Sequence, residues 1–467
     1  MKLIIKLLPI SLLIITASCG KKYLDYNPVS NQVVPKKVED FQAMLDNTNA
    51  MNESSAVNLG MIGGDDYYVT AGQYSATGAL SAADFTKNAY IWAEQIYVGR
   101  ETPIDWNSAY NHILLANYAI EGTDKIERTT DNQDKWDQLR GGAYFFRGYN
   151  LFLLAQLYCP VYNAATAGTD IGLPLRTDSD PTMKFPRASV EATYQQVIED
   201  LAAAEALLTD KSTVAYRPSK AAVYAAFTRV YMQMGDYAKA KEYADKCLAI
   251  QNTLINYNSL NITATTASSF PANGVGNTEV IFMEAAASVF ITANFFNPDT
   301  TLLKKYVNGD IRYKAYFFST VTGGVTKWTF KGSYKGVSTS YYTGLAIDEV
   351  YLNRAECLAR TNKPAEALAD LNKLRQNRFT PATYIPLQSV DAQQVLDWVV
   401  AERRIELIMR GTRWSDLRRL NKEPRYATSL KRVLDTQTFE LKPNDQRWTW
   451  PLPVEAIENG GYTQNPR

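Results

Sequence analysis

The sequence predicts a mainly α-helical protein in which paired helices form an α–α superhelical scaffold interrupted by large, loop-rich insertions. Three observations carry this: long stretches with apolar residues at a 3.6-residue period, small residues and Gly-Asp turns where two helices would meet, and two aromatic-rich segments without that period. At 467 residues, 46% hydrophobic and 21% charged, the chain can bury a large core.

The first element is a leader. Lys2 and Lys6 precede an apolar run from Leu7 to Ile15, and Thr16-Ala17-Ser18-Cys19 follows. The run is too short to span a bilayer, which takes roughly 20 apolar residues, so residues 1–18 are expected to be a signal peptide. Small residues before a cysteine resemble a bacterial lipoprotein processing site, which makes Cys19 the expected lipid attachment point and residues 19–467 one mature domain. Removing Lys2 and Lys6 leaves 47 basic against 48 acidic residues, a balance that offers no general attraction to nucleic acid.

Helical patterns then follow in order. From Ser108 to Lys125, Ile113, Leu114, Ala116 and Ile120 share helical spacing, with Gly122 as the expected stop. Asp134 to Tyr158 is broadly apolar and ends before Pro160; residues 159–188 carry loop chemistry; Val190 to Leu208 is helical again. Arg217 to Ile250 divides into two helices at Gly235-Asp236-Tyr237, with Tyr231, Gly235, Tyr237, Ala240 and Leu248 at offsets resembling a tetratricopeptide repeat. A second such unit spans Ile347 to Arg378, with Ala355, Leu358, Ala367, Leu371 and Leu374 in equivalent places. Repeat-like units are thus expected near 134–208, 217–250, 347–378 and 392–420, and insertions near 50–105 and 251–346.

Little in the chain points to catalysis. His112 is the one histidine and sits on a helical pattern, so His-rich metal sites are excluded and a structural role is expected. Cys159, Cys247 and Cys357 are spread through helical patterns as buried thiols would be. Gly274-Val275-Gly276 starts like a dinucleotide fingerprint but has Glu279 where a third glycine belongs. Asp65 and Asp66 are adjacent, which does not set a glycosidase separation. No cofactor and no metal are expected.

The insertions are where binding is expected. One holds Tyr67, Tyr68, Tyr74, Tyr90 and Trp92 among Asp66 and Asn88; the other holds Trp328, Tyr334 and Tyr341. With 30 tyrosines against 17 phenylalanines, the chain favours half-wet aromatic surfaces. Sugars suit these, since ring C–H faces stack on aromatics while hydroxyls bond to Asp and Asn; peptides suit them too. These ten residues form the expected ligand site, with Trp92 as first choice. The Arg/Glu-rich stretch from Glu402 to Arg419 is instead expected to pair internally, with Glu406 and Arg410 one helical turn apart and Asp416 among the arginines. Trp414 and Trp106 are expected to be packing wedges.

Several motifs occur together toward the C-terminus: Glu349-Val350-Tyr351-Leu352-Asn353-Arg354-Ala355-Glu356, Ala401-Glu402-Arg403-Arg404-Ile405-Glu406-Leu407, Gly411-Thr412-Arg413-Trp414-Ser415-Asp416-Leu417-Arg418-Arg419, Trp450-Pro451-Leu452-Pro453 and Thr463-Gln464-Asn465-Pro466. With Tyr23-Leu24-Asp25-Tyr26-Asn27-Pro28, Trp106 to Asn117 and Arg147 to Tyr158, this ordered set resembles the SusD/RagB family across the mature chain. The resemblance implies an outer-membrane lipoprotein of Bacteroidetes-type bacteria that captures nutrients as a lid on a TonB-dependent transporter of the SusC/RagA kind, facing the cell surface. Gly20-Lys21-Lys22 departs from the acidic run that often accompanies surface export. An oligosaccharide is the expected ligand; peptide capture and an envelope-assembly scaffold are the alternatives.

Overall fold

The computed structural model describes residues 35–76, 84–101, 103–263, 268–286, 297–337 and 340–467. The leader, Cys19 and the Tyr23–Pro28 motif lie outside the described residues. Among the described residues nine helices form the scaffold: α1 (Ile104–Asp124), α2 (Gln133–Tyr158), α3 (Val190–Leu207), α4 (Lys220–Met234), α5 (Tyr237–Ile250), α6 (Ile347–Arg360), α7 (Pro364–Gln376), α8 (Ala392–Glu406) and α9 (Arg413–Leu420). Consecutive members pack as pairs, α1 on α2, α2 on α3, α4 on α5 and α6 on α7, while α5 and α8 both pack on α6.

Local chemistry explains the pairing. Gly235 ends α4 in the left-handed region at φ 78°, and the Asp236 side chain then accepts from Lys239 N at 3.0 Å to start α5. Alanines 221, 222, 225 and 226 on α4 and 240 and 244 on α5 are buried, which lets the backbones approach. Phe227 and Tyr231 stack on Tyr243, with ring centroids 4.2 and 5.6 Å apart. In the second unit Ala355, Leu358, Ala367, Leu371 and Leu374 join Val395 and Val399 in an apolar cluster of their own.

Polar rivets fix the register between neighbours. Arg147 on α2 donates to Asp200 on α3 at 2.6 and 2.9 Å and to Asn117 on α1 at 2.9 Å. His112 is buried, with Nδ1 2.9 Å from Asn150 Oδ1, and burial lowers its pKa. Gly122 does not stop α1, which runs on to Asp124. It is there because a Cβ at this position would sit 2.3 Å from the Phe41 ring of the Val38–Leu45 helix. The requirement is close packing rather than a cap. Cys159, Cys247 and Cys357 are free and buried.

The insertions hold more regular structure than their sequence suggests. Short helices occupy Ala71–Ser75, Asp84–Tyr90 and Arg312–Tyr316, and strands Phe317–Thr322 and Val325–Phe330 form a hairpin. Both turn glycines, Gly323 and Gly324, take positive φ, as the tight hairpin requires. Strand Val280–Phe282 pairs with Leu345–Ala346, which leads into α6 and ties the larger insertion to the scaffold.

Glu284, just beyond that strand, is buried with no cation bonded to it, and burial pushes its carboxyl up to about 8. The unfolded chain releases this proton near 4.5 while the fold keeps it to about 8. The group's stabilising contribution is therefore full below 4.5 and declines as pH rises to about 8. Glu284→Gln removes that decline. In urea unfolding at about pH 5 and about pH 9, the wild type is expected to lose on the order of a few kcal/mol more than the variant; parallel losses would contradict the buried neutral acid.

Candidate functional site

The expected site residues divide sharply. Tyr67, Tyr90, Trp92, Tyr334 and Tyr341 are buried and present no face to a ligand, which corrects the expectation that they form a binding surface. Trp92 donates from Nε1 to Gly63 O at 3.0 Å, and the Arg432 guanidinium lies 5.0 Å from its ring. The Tyr90 hydroxyl accepts from Val69 N at 2.9 Å. Tyr334 donates to Glu279 at 2.5 Å in the interior. Asp66 is buried as well, paired with Arg404 at 2.5 Å and accepting from Met409 N at 2.9 Å, so its carboxylate is already committed. Asn88 is half-buried and donates to Ile96 O at 3.1 Å.

Tyr68, Tyr74 and Trp328 remain at the surface. Tyr68 is 39% exposed on β1 (Tyr67–Tyr68), which pairs antiparallel with β2 (Asn297–Pro298) through Tyr68 opposite Asn297. Strand β2 also lies against the hairpin strand β3 (Val325–Phe330) that carries Trp328. Trp328 is half-buried and meets Tyr313 edge-on at 6.2 Å, and Tyr313 is 37% exposed. Tyr74 is half-buried, with its hydroxyl 3.3 Å from Lys87 O. Tyr68 and Trp328 thus sit on the two strands that flank β2, with Tyr313 beside Trp328, and form a shelf of partly wet rings, while Tyr74 packs against Tyr90 nearby in sequence.

Polar groups at the shelf are fixed. Gln73 Oε1 accepts from Thr70 N at 2.8 Å and from Asn297 Nδ2 at 2.7 Å, which leaves its amide N–H groups as the donors it can still offer. Sequence reasoning passed over Tyr313 as a ligand contact and missed the part played by Asn297. Their juxtaposition with Tyr68 depends on a strand pairing across more than 200 residues, which no local pattern announces.

The ion pairs of the Arg/Glu-rich stretch are internal: Asp416 takes Arg403 at 2.7 Å and Arg419 at 3.6 Å as expected, while Glu406 and Arg410 find other partners. Helix α8 ends at Glu406, so Glu406 and Arg410 do not share a helical turn. Glu406 instead takes Arg378 at 2.8 Å and Arg312 at 2.8 Å, and Arg410 takes Asp348 at 3.0 Å. Glu279, Asp348 and Glu406 lie close enough together to invite a metal-site reading. Arg378 bridges Glu279 and Glu406, and Arg410 answers Asp348, so these carboxylates already have cations. Asp65 is likewise held well below the usual carboxylate range by Arg404 and Arg413, against the opposing effect of burial. Trp414 is buried and stacks on Trp450 at 5.1 Å, as a wedge should.

A family model described as "Starch-binding associating with outer membrane" matches residues 22–232, and one described as "SusD family" matches residues 305–467. The chain belongs to the SusD/RagB family. A tetratricopeptide-repeat model matches residues 221–253 of this SusD-family chain, the α4–α5 pair. A SusD-like protein of Formosa agariphila is 23% identical over 435 residues, covering 75% of this chain and 83% of that protein. A putative sugar binding protein from Bacteroides vulgatus shares the fold with a TM-score of 0.72 at 20% identity, covering 93% of this chain and 99% of its own. A laminarin binding SusD-like protein does so with a TM-score of 0.65 at 17% identity, covering 91% and 97%.

The burial of Trp92 sets a first expectation for mutants. Trp92→Ala opens a core cavity and strands the Gly63 carbonyl, so the variant is expected to lose about 3–5 kcal/mol of stability. Denaturant unfolding measures this; a loss under about 1 kcal/mol would place Trp92 outside the core.

Proposed function

We propose that this SusD-family protein captures an oligosaccharide at the outer membrane and passes it to a TonB-dependent transporter of the SusC/RagA kind. In this reading Tyr68, Tyr74, Tyr313 and Trp328 form the sugar-facing surface. The observation that carries it is the shelf itself: rings that are held by neighbours yet partly open to water, beside amides fixed by the fold. Aromatic faces contribute on the order of 0.5–1.5 kcal/mol each beyond area burial. A few of them with several hydrogen bonds give a micromolar complex, about −8 kcal/mol. Such affinity suits a carrier that must release what it binds.

Capture rather than cleavage also fits the interior chemistry. Asp65, Asp66, Glu279 and Glu406 are held by arginines, and members of this family are non-catalytic binding proteins. Cys19 is the proposed lipid anchor, placing the domain on the outer face of the membrane. Several acyl chains on one residue hold firmly, at about 0.8 kcal/mol per buried methylene.

Calorimetric titration with laminarin-type, starch-type and other oligosaccharides, and with peptides, tests the ligand class. Trp328→Ala is expected to weaken glycan binding by about 1–3 kcal/mol with its melting temperature nearly unchanged. Binding that survives this change intact, or binding of peptides alone, would refute the glycan shelf.

Cys19→Ala gives a separate expectation for the anchor. The variant is expected in the soluble fraction with its binding intact, because the thiol is the group that receives the lipid. Retention in outer membranes that lack the transporter would refute anchoring by this residue.

A further inference from the structure

Nine arginines are buried among the described residues, and their partners single out one of them. Arg147, Arg229, Arg312, Arg378, Arg403, Arg410 and Arg419 each face a carboxylate within ion-pair distance. Arg432 faces none, but the rings of Tyr90 and Trp92 enclose it at 4.4 and 5.0 Å, and it donates to the carbonyls of Gly64 and Tyr67. Arg418 has neither a carboxylate nor an enclosing ring. It lines a cleft of about 530 Å³ where the end of α9, the 160–171 loop and residues 444–449 meet.

Most other polar groups of the cleft point the same way, Asp170 excepted. The terminal amino groups of Arg418 donate to the carbonyls of Gln156 and Cys159, where α2 ends, so the helix dipole offsets part of the charge. Its Nε has no partner. Asn421 lies three residues on, and its Oδ1 accepts from Thr428 N at 2.8 Å. That bond fixes the amide and leaves Nδ2 as a second buried donor without a partner. Exposed Lys422 adds an ammonium to the same lining. Of the two acids there, Asp445 is neutralised by Arg447 at 2.6 Å and Asp170 accepts from the Thr166 hydroxyl at 2.6 Å. A buried cation and two unmet donors are costly unless an anion with acceptor atoms answers them.

We propose that this cleft is a second binding site, which takes the carboxylate of an acidic sugar, a uronate residue. Arg418 and Asn421 both line the cleft and each keeps an unpartnered donor for a carboxylate oxygen, and Pro160, Val161 and Trp448 supply the apolar wall that a sugar ring needs. The volume lies within the roughly 300–1,000 Å³ usual for small-ligand sites. Burial lowers the pKa of Arg418 to about 10, a cost that a bound anion relieves. The sugar part of this assignment rests on the proposed function; the anion part does not.

Calorimetry on the full chain in detergent tests it, with digalacturonate, its neutral dimethyl ester and acetate as probes. Digalacturonate is expected to bind at least about tenfold more tightly than the ester, the scale of one hydrogen bond to a charged group. Its affinity should fall with added salt. Asn421→Asp keeps an oxygen for Thr428 and puts an acceptor where the free donor stands, so it should cost uronate binding about tenfold or more. Should that variant melt early, exposed Lys422→Glu carries the same expectation without touching the core. Equal binding of acid and ester, or uronate affinity untouched by either variant, overturns the site. Acetate binding as tightly as digalacturonate overturns the sugar assignment. Neutral oligosaccharide binding that depends on Trp328, with no uronate binding at all, overturns this second site while leaving the proposed function standing.

Discussion

Arg378 is the residue on which the two kinds of structure in this fold meet. Fully buried after the end of α7, it reaches Glu279 beside the insertion strand Val280–Phe282 and Glu406 at the end of α8, while its guanidinium lies 3.9 Å from the Tyr257 ring. Arg312, Asp310 and Glu402 extend the lattice, and the Tyr257 hydroxyl links it to Tyr316 and Tyr334 at 3.0 and 2.9 Å. The scaffold helices carry regular apolar faces that rivets such as Arg147–Asp200 only keep in register. The larger insertion has no sustained period, so directional contacts must fix its placement. Removing one partner of a buried pair costs about 3–5 kcal/mol, because a charge is left unanswered.

That anchoring accounts for how the aromatic residues are sorted. Tyr257, Tyr316, Tyr334 and Tyr342 surround the buried charges, and their hydroxyls find partners there, so they belong to the interior. The hairpin that starts at Phe317 leaves this centre and carries Trp328 outward, where the ring meets Tyr313 and Phe317 and stays partly open to water. One insertion thus supplies both a rigid base and a wet rim. A binding surface gains from that arrangement, since rings held from behind lose little freedom when a ligand arrives.

The helical scaffold was legible because local signals agreed with one another: the period of α2, the Gly235-Asp236 junction and the small residues of α4 and α5 all point to one packing. The aromatic site was legible in composition but not in detail. Trp92 and Trp328 are both tryptophans in segments without helical period, yet one is buried against Gly63 and Arg432 while the other is half-wet on a hairpin. Gly63 lies 29 positions before Trp92 and Arg432 more than 300 after it, so no local pattern around Trp92 could reveal its enclosure. Gly122 misled for a related reason. Its role is to make room for Phe41, some 80 positions earlier, and a local reading sees only a helix breaker.

The packing around Trp414 has a temporal consequence. Gly60 and Gly63 are pressed against this ring, and a Cβ at Gly63 would lie 2.7 Å from both Trp414 and Trp450. Trp448 closes the group at 4.6 Å from Trp414. The packing of the early segment, begun against Asp105 and Trp92, is therefore completed only when the last part of the chain has been made. Contacts this distant in sequence slow folding, because a long loop must close before they return any energy. A chain that emerges from its N-terminus first spends its synthesis with the Gly60 and Gly63 side of that segment uncovered. Its dependence on chaperones should be set by that interval more than by the stability of the finished fold.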